Sequence, residues 1–170
     1  PQLRVGFAPY ALRIVNVDAL RAPDIVAVSF MAARDRDLTL LRNLGENLFE
    51  PVGFMVPDED VSYARMLDAA GEPVFTSPGL TAVEVFDFDS DGYRDAVATA
   101  WSSDVLVYFP GHIEKYFDQP RMISMPGAPR DIARADFNQD GNADLAVALY
   151  AAGEIAILLG NGEGGFASAG

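Results

Sequence analysis

The 170-residue sequence contains no cysteine. Disulfides, thiolate metal centres and a cysteine nucleophile are therefore excluded. Histidine occurs once, at His112. One imidazole cannot build a histidine-based zinc site, and its context, Pro-Gly-His-Ile-Glu-Lys, reads as a solvated turn. Positive charge is scarce: 12 Lys and Arg stand against 25 Asp and Glu, for a formal net charge of −13. Nucleic acid is not an expected partner, because phosphate binding needs a basic face. No run of about 18 apolar residues occurs, so no transmembrane helix is expected. No Gly-x-Ser-x-Gly elbow is present. The stretch Gly160-Asn161-Gly162-Glu163-Gly164-Gly165 lacks the Lys-Ser/Thr of a phosphate-binding loop and reads as a hairpin turn. With no catalytic constellation in view, the chain is not expected to be an enzyme.

What is present is one stretch that occurs twice. Residues 87–95 read Asp-Phe-Asp-Ser-Asp-Gly-Tyr-Arg-Asp, and residues 136–144 read Asp-Phe-Asn-Gln-Asp-Gly-Asn-Ala-Asp. Oxygen-bearing side chains recur at alternate positions: Asp87, Asp89 and Asp91, then Asp136, Asn138 and Asp140. A glycine follows (Gly92, Gly141), and Asp95 or Asp144 closes the loop. Hard cations such as Ca²⁺ take six to eight oxygen ligands in flexible geometry. Each loop is read as a Ca²⁺ site. Side chains at positions 1, 3, 5 and 9 serve as ligands, with a backbone carbonyl at position 7 (Tyr93, Asn142). The glycine allows the turn that aims the ligands inward. An EF-hand would require Glu at position 12, where Ala98 and Val147 stand, and helices on both sides. The flanks instead alternate with a period near two, which signals strands. The remaining alternative is a pair of acidic hairpin turns that hold no metal.

A third, degenerate copy lies at 14–29. Asn16, Asp18 and Asp24 occupy positions 1, 3 and 9, but Leu20 and Arg21 replace the fifth ligand and the glycine. This loop is expected to keep the fold and to stay empty. After each loop come a strand (24–30, 95–101, 144–150), a polar turn and a second strand (38–44, 105–110, 154–160). A glycine and an aromatic that opens a fourth strand then follow: Gly45 with Phe49, Gly111 with Phe117, Gly160 with Phe166. The fourth strands are expected at 49–56 and 117–125. In the last unit the chain stops as that strand should begin. Arg34-Asp35-Arg36-Asp37 reads as a solvated hairpin tip, and Trp101 as a packed residue ending an inner strand. Asp136 lies 49 residues after Asp87, whereas Asn16 lies 71 before it. The excess, over roughly 57–80, reads as an extra hairpin or decorated loop near Val61, Leu67, Pro73 and Ser77. Residues 1–7 resemble the tail strand of a preceding unit. A chain that opens on Pro1-Gln2 without Met or leader reads as processed or as a piece of a longer polypeptide.

The two acidic loops, each followed by an alternating strand and a later Gly…Phe, resemble the FG-GAP repeat of integrin-α-type β-propellers, including the bacterial VCBS variant. The resemblance covers nearly the whole chain apart from the insertion. It implies an all-β fold of about three four-stranded antiparallel blades, with units near 8–56, 80–125 and 128–170. Three blades do not close a ring, so an incomplete propeller within a longer chain or a larger assembly is expected. It also implies Ca²⁺ in the loop between the first two strands of a blade, held by the ligands named above. A β-sandwich is the competing fold. The function expected is a calcium-stabilised, non-catalytic scaffold for a protein or glycan partner, in an extracellular, periplasmic or cell-surface setting. The alternative is the propeller portion of an extracellular hydrolase or lyase with its active site elsewhere.

Overall fold

The computed structural model describes residues 2–18, 20, 22–30, 36–57 and 78–169, and the backbone alone at 66–67 and 73–75. Its described residues contain no helix. The chain runs β1 (Pro9–Val15), β2 (Asp24–Ser29), β3 (Leu38–Gly45) and β4 (Leu48–Phe54), which form sheet 1 in that order. Strands β5 (Met66–Leu67) and β6 (Pro73–Phe75) pair antiparallel within the 57–80 insertion. Residues 58–65, 68–72 and 76–77 lie outside the described residues, as do Arg34 and Asp35.

Sheet 2 contains β7 (Leu80–Phe86), β8 (Asp95–Ala100) and β9 (Val105–Phe109). A small hairpin of β10 (Gly111–His112) and β11 (Tyr116–Phe117) intervenes before β12 (Arg121–Ser124) closes the sheet beside β9. Sheet 3 is β13 (Pro129–Ala135), β14 (Asp144–Leu149), β15 (Glu154–Gly160) and β16 (Phe166–Ser168). All pairs are antiparallel, and the first strand of each sheet packs beside the first strand of the next, β1 on β7 and β7 on β13.

The first strands share a local device. Ala8, Gly79 and Ala128 take left-handed φ of +51°, +68° and +57°. Their carbonyls accept from the N–H groups of Phe30 (3.0 Å), Trp101 (3.1 Å) and Tyr150 (3.0 Å). Two residues on, the ladder slips by one at Pro9/Ala11, Leu80/Ala82 and Pro129/Asp131. A bulge in this position bends the strand and increases its twist.

Sheet 2 is covered on both faces. Ala96, Ala98, Val107 and Phe109 join Val26, Val28, Leu38 and Leu40 of sheet 1 in one core. Val97, Leu106 and Tyr108, on the opposite face, join Ile132, Leu145, Val147 and Leu158 of sheet 3 in a second. Period-two alternation therefore feeds two cores at once, and every residue of β8 is buried. The buried hydroxyls of Thr81 on β7 and Thr99 on β8 are satisfied within the packing. The Thr81 and Thr99 hydroxyls lie 2.9 Å apart, Thr81 donates to the Arg130 carbonyl (2.8 Å), and Thr99 accepts from Ala82 N–H (2.9 Å).

Four expectations need correction. Phe117 does not open the fourth strand of its unit. It belongs to the β10–β11 hairpin, and the outer strand starts at Arg121. A fourth strand does form in the last unit, where Gly160 pairs with Phe166 and Leu158 with Ser168. Residues 2–7 adopt no strand. Asp37 is no solvated tip: it is 4% exposed and accepts from Val56 N–H at 2.8 Å. A carboxylate there satisfies a main-chain donor that would otherwise be buried unpaired.

Candidate metal centre

The two acidic loops share three main-chain-to-carboxylate or amide hydrogen bonds. In each, position 1 accepts from the N–H of position 6: Gly92 to Asp87 at 3.1 Å, Gly141 to Asp136 at 3.0 Å. Position 3 accepts from position 5: Asp91 N–H to Asp89 at 3.3 Å, Asp140 N–H to Asn138 at 3.0 Å. Position 5 accepts from position 7: Tyr93 N–H to Asp91 at 2.8 Å, Asn142 N–H to Asp140 at 2.7 Å. The backbone turns through left-handed φ at Ser90 (+63°) and Gly92 (+92°), then at Gln139 (+61°) and Gly141 (+91°). Glycine suits the φ near +90° because it has no Cβ to clash.

Position 9 does a separate job. Asp95 is fully buried, and one oxygen accepts from Phe88 N–H at 2.7 Å, the other from Gly111 N–H at 2.6 Å. Asp144 repeats this with Phe137 N–H (2.8 Å) and Gly160 N–H (2.8 Å). Asp24 of the degenerate loop repeats it again, with Val17 N–H (2.9 Å) and Asn43 N–H (2.8 Å). The ninth carboxylate thus ties the start of its loop to the end of the third strand in sheets 1 and 3, and to Gly111, just past the third strand, in sheet 2. Spacing alone marks position 9 only as a ligand; its retention at Asp24, in a loop that has lost the fifth ligand and the glycine, is the sequence signal for this second role.

The loop at 87–95 gathers charge. Single carboxylate oxygens of Asp87, Asp89 and Asp95 lie within 4.8 Å of one another. Among the described residues no other three acidic or histidine side chains are so grouped. Asp87 Oδ1 is buried and accepts no hydrogen bond. Burial, then the Asp95 charge, pushes the Asp89 carboxyl above its ordinary range. Burial also raises Asp95, against the pull of the Gly111 N–H. The buried Tyr108 hydroxyl beside it makes no well-formed hydrogen bond, and burial and then Asp95 hold it above its usual range. A buried, unpaired oxygen among carboxylates fits a hard cation, which would reverse these shifts. Asp91 lies outside the group, its Oδ1 turned to Tyr93 N–H.

The loop at 136–144 is more open. The Asn138 amide donates to Asp140 at 2.9 Å, and the Asn142 N–H, then that amide, keep the Asp140 carboxyl below its ordinary range. Phe137 is 48% exposed, whereas its counterpart Phe88 is 4% exposed. The difference comes from the next sheet. The 161–165 turn of sheet 3 sits on the 87–95 loop, where Gly164 N–H donates to the Phe88 carbonyl (3.2 Å) and Phe166 packs edge-on against the Phe88 ring.

In the degenerate loop a side chain stands where the other loops concentrate bare carboxylates. Arg42 Nε bonds Asp18 Oδ2 at 3.2 Å, and its Nη1 bonds Glu50. Asp18 Oδ1 accepts from Leu20 N–H (3.0 Å), and the Asn16 amide donates to the Leu20 carbonyl. Arg42 lies on β3, far from the loop in sequence, and no spacing rule singles it out. The chain matches no protein-family model, and no curated protein shows significant similarity to it.

Proposed function

We propose that this chain is a calcium-stabilised, non-catalytic module of FG-GAP-like propeller blades that acts as a scaffold for a protein or glycan partner outside the cytosol. The observation that carries the reading is the buried, unpaired Asp87 Oδ1 beside Asp89 and Asp95. Asp87, Asp89, Asp91 and Asp95, with the Tyr93 carbonyl, would hold one ion. Asp136, Asn138, Asp140 and Asp144, with the Asn142 carbonyl, would hold a second. The ion neutralises the crowded carboxylates and pins the first turn of its sheet, so its binding energy becomes folding energy. Repeated sheets whose first strands pack in series support blades. The exposed Phe137, and Ile155 at 70% exposure on sheet 3, support a place in a longer chain or larger complex.

Titration calorimetry of Ca²⁺ into chelator-stripped protein tests this, with melting followed in parallel. Two sites are expected, and saturation at a hundredfold above Kd adds about 2.7 kcal/mol of stability per site. Asp87→Ala should remove one site and leave the other. Absence of binding heat, with melting unchanged by Ca²⁺, would overturn the reading.

A further inference from the structure

Sheet 2 departs from the repeat at one place. Sheets 1 and 3 pass from third to fourth strand through short turns, whereas sheet 2 inserts the β10–β11 hairpin. Decorations on one unit of a repeat commonly mark a binding face. This hairpin reaches sheet 1, where the Tyr116 ring lies 4.8 Å from the Arg42 guanidinium. Tyr116 holds φ at +69°, the only aromatic residue in left-handed backbone among the described residues. Such strain in a bulky residue persists only where surrounding structure imposes it, and it gathers at functional sites.

Between the hairpin, the degenerate loop and the 87–95 loop lies a cavity of about 380 Å³. Its walls include Asp18, Arg42, Tyr93, His112, Ile113 and Tyr116. The size falls within the range of small-molecule sites, which combine aromatic walls with a few convergent polar groups. His112 Nδ1 accepts from the N–H groups of Glu114 (3.1 Å) and Lys115 (3.2 Å). That fixes the proton on Nε2, which makes no hydrogen bond to a described residue and remains free to donate. Arg42 uses Nε on Asp18 and Nη1 on Glu50, while Nη2 makes no bond to a described residue. Two carboxylates already face its single charge, so the guanidinium does not call for an anionic ligand. Free N–H donors at His112 Nε2 and Arg42 Nη2, with partly exposed ring faces, suit a ligand with hydroxyls on its edge and C–H groups on its face.

We propose that this cleft binds a neutral pyranose, such as the terminal sugar of a glycan. Because Gly92 and Tyr93 form one wall, calcium in the 87–95 loop preorganises it. The sugar site deepens the glycan-partner reading proposed above, and its calcium link rests on the metal sites proposed there. The test is saturation-transfer NMR, followed by titration, with the methyl glycosides of glucose, galactose, mannose, fucose and N-acetylglucosamine, and with methyl glucuronide as an anionic probe. Each is run in Ca²⁺ and in chelator.

At least one neutral glycoside should bind, and more tightly in Ca²⁺. His112→Asn keeps an oxygen acceptor for the turn but loses the Nε2 donor, and should weaken binding about tenfold. Tyr93→Ala retains the main-chain carbonyl and removes a ring, with a similar effect. Melting of both variants within a few degrees of the parent separates lost binding from lost folding. If no glycoside binds while Ca²⁺ titrates normally, the sugar site is overturned and the metal reading stands. Preference for the glucuronide overturns neutrality. Equal affinity in chelator overturns the calcium link and leaves the site.

Discussion

Replacing Asp24 with alanine separates the main-chain tie made by the ninth loop position from the metal-ligand role proposed for it. Asp24 is fully buried and holds Val17 N–H at 2.9 Å and Asn43 N–H at 2.8 Å, with Asp18 N–H more distant at 3.4 Å. Its loop lacks the fifth ligand and the glycine, and Arg42 occupies Asp18. Alanine leaves two good donors without acceptors. Each buried unsatisfied donor costs about 1–3 kcal/mol, and the exposed side of the loop admits some water, so the loss should be about 2–4 kcal/mol. For a chain of this size that is on the order of 10 °C in melting temperature. Urea unfolding, measured in Ca²⁺ and in chelator, should give the same loss in both. Asp144→Ala, which removes the same tie and a proposed ligand together, should lose more in Ca²⁺ than in chelator. A loss for Asp24→Ala below about 0.5 kcal/mol would refute the argument, since that is the scale of a neutral surface substitution. So would a loss that calcium abolishes.

Two further outcomes follow from the geometry. Gly45 and Gly164 both adopt left-handed φ, at +87° and +72°, but a Cβ at Gly45 meets nothing within 4 Å. At Gly164 it meets Arg121 Nη2 at 2.6 Å and the Tyr108 hydroxyl at 2.7 Å. Both alanine variants should lose about 1–2 kcal/mol from the backbone, with at least about 1 kcal/mol more at Gly164 from the clash; equal losses by urea unfolding would count against the packing of that turn. The second outcome concerns pH in the metal-free protein. The Asp89 and Asp95 carboxyls sit above their ordinary value of 3.8, so the folded state favours their protons more than the unfolded state does. Their contribution to stability therefore falls as pH rises from that value through the raised ones. Asp140, held below 3.8, contributes in the opposite sense and in a lower window, its stabilisation being lost as pH falls through its folded pKa. Melting followed from about pH 4 to 6 should show a decline that Asp89→Asn reduces, and identical slopes for parent and variant would argue against a strained, metal-free cluster.

The spacing of Asp, Asn and Gly was enough to mark the loops, because ligand geometry and φ near +90° are properties of a nine-residue segment. Short apolar runs of strand length were enough to mark the strands that follow them, although β8 is buried on both faces and shows no exposed alternate position. Tertiary packing decided what the segments met. Val17, Phe88 and Phe137 occupy the same loop position. Phe88 is buried because the turn of sheet 3 lies on it, and Phe137 is exposed because none of the described residues covers it. Arg42 reaches Asp18 across 24 residues, a pairing set by the β2–β3 register. Ala8 and Ala128 take left-handed φ without glycine, because the bulge and the bond from the following aromatic impose it. Phe117 has the composition of a strand opener, yet the β10–β11 turn claims it, and Tyr116 is strained into place by the same turn. Local chemistry is written in neighbouring residues and can be read there. Burial, the Arg42–Asp18 pairing and the cleft at Tyr116 depend on which strand or sheet lies against which, and only the folded chain fixes that.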